Sequence, residues 1–345
     1  MKERLAEINL LRPVTIVMLV LMHAFTMYAH NWSYPEGIHD VRLYFWIQKY
    51  SFACMLEMFV FMSGYVFGFQ WYGNRKVSSF IALAAGKARR LLLPSVVFSL
   101  IYIALFTGMF QDRLWLNIVI GALSGYGHLW FLPMLFWCFL AAWLLLKTRL
   151  NDGLILCLLA VVSVLSWLPL PMQLGQTLYY LPFFYAGTAV FKHRTQLISW
   201  AERNKPFIFG ALLFFVVAVF LFTRNMELLK GLYNNGASDS FLLHAEATLC
   251  KLLYSSLGVA MFYLLALLFT QHHTLRPHWE LRNKLCFAVY IFQQFFLEWL
   301  YYHTSLPQYL GSYLLPWAGF AAAMILSYAL ARLFLMTRTG KFLLG

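Results

Sequence analysis

Apolar stretches long enough to cross a hydrocarbon core of about 30 Å recur along this chain, roughly at residues 9–29, 51–71, 91–110, 128–147, 153–170, 177–191, 207–223, 248–270, 284–303 and 314–336. In lipid every backbone N–H and C=O must be satisfied inside the protein, and long uninterrupted apolar runs achieve this as helices. Composition agrees. The chain is 62% hydrophobic and 19% aromatic but only 11% charged, with mean hydropathy +0.68, whereas soluble domains are about a quarter charged. The sequence therefore predicts an all-α fold, a polytopic membrane bundle of about ten transmembrane helices. No long polar tract divides it, so residues 1–345 read as a single transmembrane domain without a soluble extracytoplasmic domain.

Orientation follows from the basic residues, which stay on the cytoplasmic side of short loops. With both termini inside, Lys2, Arg4, Arg75, Lys76, Lys87, Arg89, Arg90, Lys147, Arg149, Lys192, Arg194, Arg203, Lys205, Arg276, Arg282, Lys284, Arg338 and Lys341 face the cytoplasm. The outer loops keep Arg42, Lys49, Arg113, Arg224 and Lys230. An even number of spans results, and the net charge of +13 reads as topology rather than nucleic-acid binding. Cys54, Cys138, Cys157, Cys250 and Cys286 all lie in apolar segments without metal-type spacing, so no disulfide framework is expected. His272, His273 and His278 fall in a basic loop with poor ligand spacing, and no metal site is expected. The longest outer connection, from Arg224 to Glu246, carries NNGASDS as a flexible turn.

Ionisable residues inside a span are expensive and usually functional. Arg12 and His23 share the first span, LLRPVTIVMLVLMHAFTMYA. Eleven positions complete about three helical turns, so both side chains lie on one face, roughly 16 Å apart along the axis. In the second span Glu57 needs protein, water or a cation beside it, and Arg12, His23 or a base from the third span are the expected partners. Ser63-Gly64, six residues on, permits close approach of another helix or of a ligand. At the third span Lys87, Arg89 and Arg90 form a basic lip with Pro94 one turn inside. A topogenic anchor and a grip on phosphate oxygens both fit that lip. In SGYGHLWFLPML, glycines loosen the backbone before His128 and Trp130 enter the fourth span. The preceding LWLNIVIGAL is apolar but too short to cross. Glu298 is a further buried acid of the ninth span, with Arg332 or an acceptor path as its expected neighbours.

Taken together, Arg12-x10-His23, LEMFVFMSGYVFGF, RRLLLP, HLWFLPML and VYIFQQFF resemble, in order and spacing, the integral-membrane acyltransferases called acyltransferase family 3. The resemblance covers nearly the whole chain. It implies transfer of an acyl group, commonly acetyl, from coenzyme A to a hydroxyl of a cell-envelope glycan or its lipid-linked precursor, in the inner membrane of a bacterium. His23 and Glu57 take catalytic positions and Arg12 holds the acyl donor, with Lys87, Arg89 and Arg90 on the donor's phosphates. Ser63, His128 and Trp130 line the acceptor side. Acetyl-CoA enters as co-substrate, with no tightly bound cofactor; membrane lipids and the glycan are the other partners. Two positions depart from the family pattern: Asn9 replaces an Asp three residues before Arg12, and Gln293 replaces the His of a Tyr-x-x-His pattern. The residues fit the chemistry independently of the resemblance, since attack on a thioester needs a base near neutrality and His provides one. The rival reading is a transporter or flippase for a sugar or lipid-linked precursor.

Overall fold

A computed structural model describes residues 5–73, 79–148, 150–234, 241–276 and 278–344. Among the described residues 86% are helical and none forms a strand. The helices are α1 (Ala6–Ala24), α2 (Arg42–Phe52), α3 (Met55–Gly68), α4 (Phe80–Lys87) and α5 (Leu93–Phe106). They continue as α6 (Trp115–Ser124), α7 (Phe131–Lys147), α8 (Asp152–Ser163), α9 (Leu174–Lys192) and α10 (Arg194–Arg203). The last are α11 (Lys205–Asn234), α12 (Phe241–His272), α13 (His278–Tyr302), α14 (Leu306–Met336) and α15 (Arg338–Leu344).

All ten apolar segments read from the sequence are helical, and among the described residues 7 helical stretches are long and apolar enough to cross a membrane. The remaining three fall short for local reasons. Residues 152–167 make a short apolar helix. Helix α9 carries Gln176, Thr177 and three tyrosines, and α13 carries Glu280, Arg282, Lys284, Gln293, Gln294 and Glu298. As expected, α6 is too short to span. The outer connection differs from expectation: α11 runs on to Asn234 and α12 starts at Phe241, so the Arg224–Glu246 loop is mostly helix. Residues 235–240 of NNGASDS lie outside the described residues, as do Lys2, Arg4, Arg75, Lys76 and Arg149.

The chain divides into two compact units. The first comprises residues 1–55, 93–129 and 275–345; the second comprises 56–92 and 130–274. In the first, α13 packs against α1, α5 and α14, and α1 also packs on α2 and α14. The beginning and end of the sequence thus share one core. Tyr301 keys it: its hydroxyl donates to the carbonyl of Ala24 at 2.9 Å, taking up a C-terminal acceptor of α1. A Cβ on Gly319 of α14 would lie 2.2 Å from that hydroxyl, so only glycine leaves room for the ring.

In the second unit α9 packs against α7, α8 and α12, and α11 packs on α12. Asn151 caps α8 by accepting from the Leu154 N–H at 2.7 Å, and Ser79 caps α4 through Ala82. A wide π-helical turn, Ala88–Leu92, separates α4 from α5. Pro94 explains it, because a proline without N–H, whose ring crowds the preceding turn, disrupts an ordinary α-helical ladder there.

Candidate active site

His128 is positioned by a glycine turn. Gly125 and Gly127 adopt φ of +79° and +58°, the left-handed region that side chains disfavour. Two serines of α5 hold the turn: Ser99 accepts from the Tyr126 N–H at 2.9 Å and Ser95 donates to the Leu129 carbonyl at 3.5 Å. The His128 ring is thereby buried against α13, with Nε2 3.0 Å from the Ile291 carbonyl. A carbonyl only accepts, so Nε2 carries the proton and neutral His128 keeps its lone pair on Nδ1. Tyr290 clamps the same spot by donating to the His128 carbonyl at 2.5 Å.

His23, in the last turn of α1, meets this arrangement directly. The two imidazoles are 6.2 Å apart, centroid to centroid, at 74°. Trp32 lies parallel to the His23 ring at 6.4 Å, and the Gln293 side chain is beside it. The Trp32 loop is pinned by Tyr302, whose hydroxyl donates to the Ser33 carbonyl at 2.7 Å. His23 Nδ1, His128 Nδ1, both amide atoms of Gln293 and Oε1 of Gln294 are buried without a hydrogen-bond partner. Each such atom costs about 1–3 kcal/mol in a protein interior. Gathered around two imidazoles, they form a face able to accept or donate protons to a polar group that enters.

At the other end of α1, Arg12 donates to Asn283 Oδ1 at 3.0 Å, and Asn283 Nδ2 donates to Asn9 Oδ1 at 2.6 Å. The amide of Asn283 thus connects Arg12 to the position where the related pattern has a carboxylate. The partner expected for Arg12 was Glu57, and Glu57 has a different set. It is 1% exposed, and its Oε1 accepts from Tyr179 at 2.9 Å and from Ser255 at 3.5 Å. Lys251 Nζ stands 3.7 Å away, and 4.6 Å above the Tyr179 ring.

The other sequence-predicted residues also belong to the second unit. Ser63 donates to the Phe59 carbonyl at 2.8 Å, back onto its own helix. Beside it, a Cβ on Gly64 would lie 1.8 Å from the Phe184 carbonyl oxygen, so the small pair serves the close approach of α3 and α9. Lys87 lies over the Phe139 ring at 3.5 Å, while Arg89 and Arg90 are exposed in the π-helical turn. Trp130 contacts Tyr180, with ring centroids 5.9 Å apart. Among the described residues no group of three His, Cys, Asp or Glu could hold a metal, and His272 pairs with Glu202 at 3.0 Å. Glu298 interacts with Tyr102 and His303 rather than with the expected Arg332.

The acyltransferase family 3 profile, an acyltransferase domain, matches residues 5–336 and so runs through both units. The chain belongs to that family. No curated protein and no solved structure matches it. Membership in acyltransferase family 3 supports an acyltransferase activity, in keeping with the multi-pass apolar helices. Inspection of the sequence singled out His23 and His128 separately and missed Lys251, Asn283, Gln294 and Trp32. Lys251 had a readable signal, a lone lysine inside an apolar run. Asn283 had none, since its role depends on a contact 271 residues away.

Proposed function

We propose that this protein is a membrane O-acyltransferase, most simply an O-acetyltransferase, that moves an acyl group from acyl-CoA to a hydroxyl of a cell-surface polysaccharide or its lipid-linked precursor. The buried, unpartnered face shared by His23, His128, Gln293 and Gln294 carries the reading. His23 takes the proton of the acceptor hydroxyl as its oxygen attacks the thioester carbonyl. The C–S bond then breaks, and the thiolate of coenzyme A takes up a proton. Gln293 offers an amide N–H to the oxygen on which negative charge develops. Lys87, Arg89 and Arg90 we assign to the donor phosphates and Trp130 to the acceptor, while Arg12 orders the donor end of α1 and Ser63 is left to helix packing. Glu57 we assign to its ion pair with Lys251. The architecture that goes with this is one domain of about ten spans, both termini cytoplasmic, in a bacterial inner membrane.

The test is chemical. Purified protein given labelled acetyl-CoA and a glycan acceptor should release coenzyme A and label the glycan, and His23→Ala should abolish both. Sugar movement across vesicles without any acyl donor would instead identify a carrier.

A further inference from the structure

Helix α7 ends in an aromatic and cationic stripe to which the proposed reaction gives no part. Phe139, Trp143 and Lys147 recur every four residues and so share one face. Two segments of the same unit close on that face. From α4, Lys87 Nζ lies 3.5 Å from the Phe139 ring centroid, and the Phe80 ring lies 5.2 Å from that of Trp143. From the π-helical turn Phe69–Gly73, Trp71 meets Trp143 at 6.4 Å, the two indoles standing at 87° like the walls of a corner. Lys147, exposed on a flexible stem, lies over both indoles, 5.4 Å from Trp71 and 5.2 Å from Trp143.

An interfacial aromatic belt accounts for tryptophans that keep their N–H groups wet. Trp143 does the opposite. Its Nε1 is buried without a hydrogen-bond partner, whereas Trp137, earlier on the same helix, donates to the Met172 carbonyl at 3.1 Å. A flat ligand with an acceptor at its edge answers that donor, and a lysine at each end of the stripe suits phosphate. Together these describe a phosphorylated purine nucleoside.

We infer that Trp71, Trp143 and Lys147 form the subsite for the 3′-phosphoadenosine end of the acyl donor. Adenine stacks on Trp71, a ring nitrogen accepts from Trp143 Nε1, and Lys147 leaves the indoles to meet the 3′-phosphate. Lys87, at the far end of the stripe, begins the basic lip assigned to the donor phosphates, so the inference rests on the proposed acyl transfer.

The experiment measures binding of adenosine 3′,5′-bisphosphate to the full chain in detergent, beside the KM for acetyl-CoA and for acetyl-pantetheine, a donor without the nucleotide. Wild type should bind the bisphosphate in competition with acetyl-CoA. Trp71→Leu should weaken that binding by about 5- to 150-fold, the worth of one stacked base. Trp143→Phe keeps a ring against Phe80 and loses the N–H; it should weaken binding by about 2- to 10-fold with the thermal midpoint near wild type. Both, and Lys147→Met, should raise the KM for acetyl-CoA more than that for acetyl-pantetheine. Unchanged bisphosphate binding in Trp71→Leu and Trp143→Phe, an equal rise in both KM values, or competition by phosphatidylglycerol but not by the bisphosphate overturns the subsite while leaving acyl transfer standing. A wild type that binds the bisphosphate through these residues but releases no coenzyme A would keep the subsite and remove the proposed transfer.

Discussion

The two units each bury a polar cluster, and they treat it in opposite ways. Around Glu57 partners gather: Tyr179, Ser255 and Lys251 converge on one carboxylate oxygen. Around His23 and His128 five polar atoms go without partners. Burial of a charge is tolerable only when it is compensated, so the paired cluster reads as a fastener between α3, α9 and α12. The unsaturated one is held rigidly by its backbone contacts, through Ile291, Tyr290 and the two serines of α5, while its reactive atoms stay available. A site is recognised here by what its side chains leave undone.

That contrast breaks most directly at His23. His23→Ala should cost 100- to 10,000-fold in acyl transfer, the range typical of a lost general base, while the thermal midpoint stays near wild type; a stability loss matching the activity loss would erase the distinction. Glu57→Gln should do the reverse. Removing one member of a buried pair costs about 3–5 kcal/mol, less here because Lys251 is partly exposed, and the protein that remains folded should transfer acyl groups normally. Adding Lys251→Met should recover part of that stability, and a catalytic Glu57 would reveal itself as lost turnover with no change in melting.

A smaller effect is expected at the close approach of α3 and α9. Gly64→Ala forces a methyl onto the Phe184 carbonyl and should cost about 1–3 kcal/mol as overpacking, read as a lowered midpoint. The smallest is Asn9→Asp. It keeps the acceptor for Asn283 and adds a charge near Arg12, so stability should rise by no more than about 1 kcal/mol, read as a slightly higher thermal midpoint.

The helical layout was legible because apolar runs report the solvent directly. Segments whose length or polarity departs from a simple span, such as α9 and α13, were legible as helices but not as members of the 7 clear crossings. In the site, His23 stood out as a titratable group in an apolar run, and His128 through the glycines ahead of it, both of which take positive φ. Their meeting was not legible. It depends on α13, whose Tyr290, Ile291 and Gln293 come more than 160 residues after His128. The expected link from Glu57 to the first span failed for the same reason, since Lys251 and Tyr179 lie far along the chain and no local pattern joins them to Glu57.

Tyr301, whose hydroxyl takes the Ala24 carbonyl and whose ring needs the bare backbone of Gly319, ties the first helix to the thirteenth and fourteenth. During synthesis the first of these leaves the ribosome long before the other two. Ala24, the residue beside His23, therefore gains its Tyr301 partner only once α13 has followed, 277 residues further along the chain.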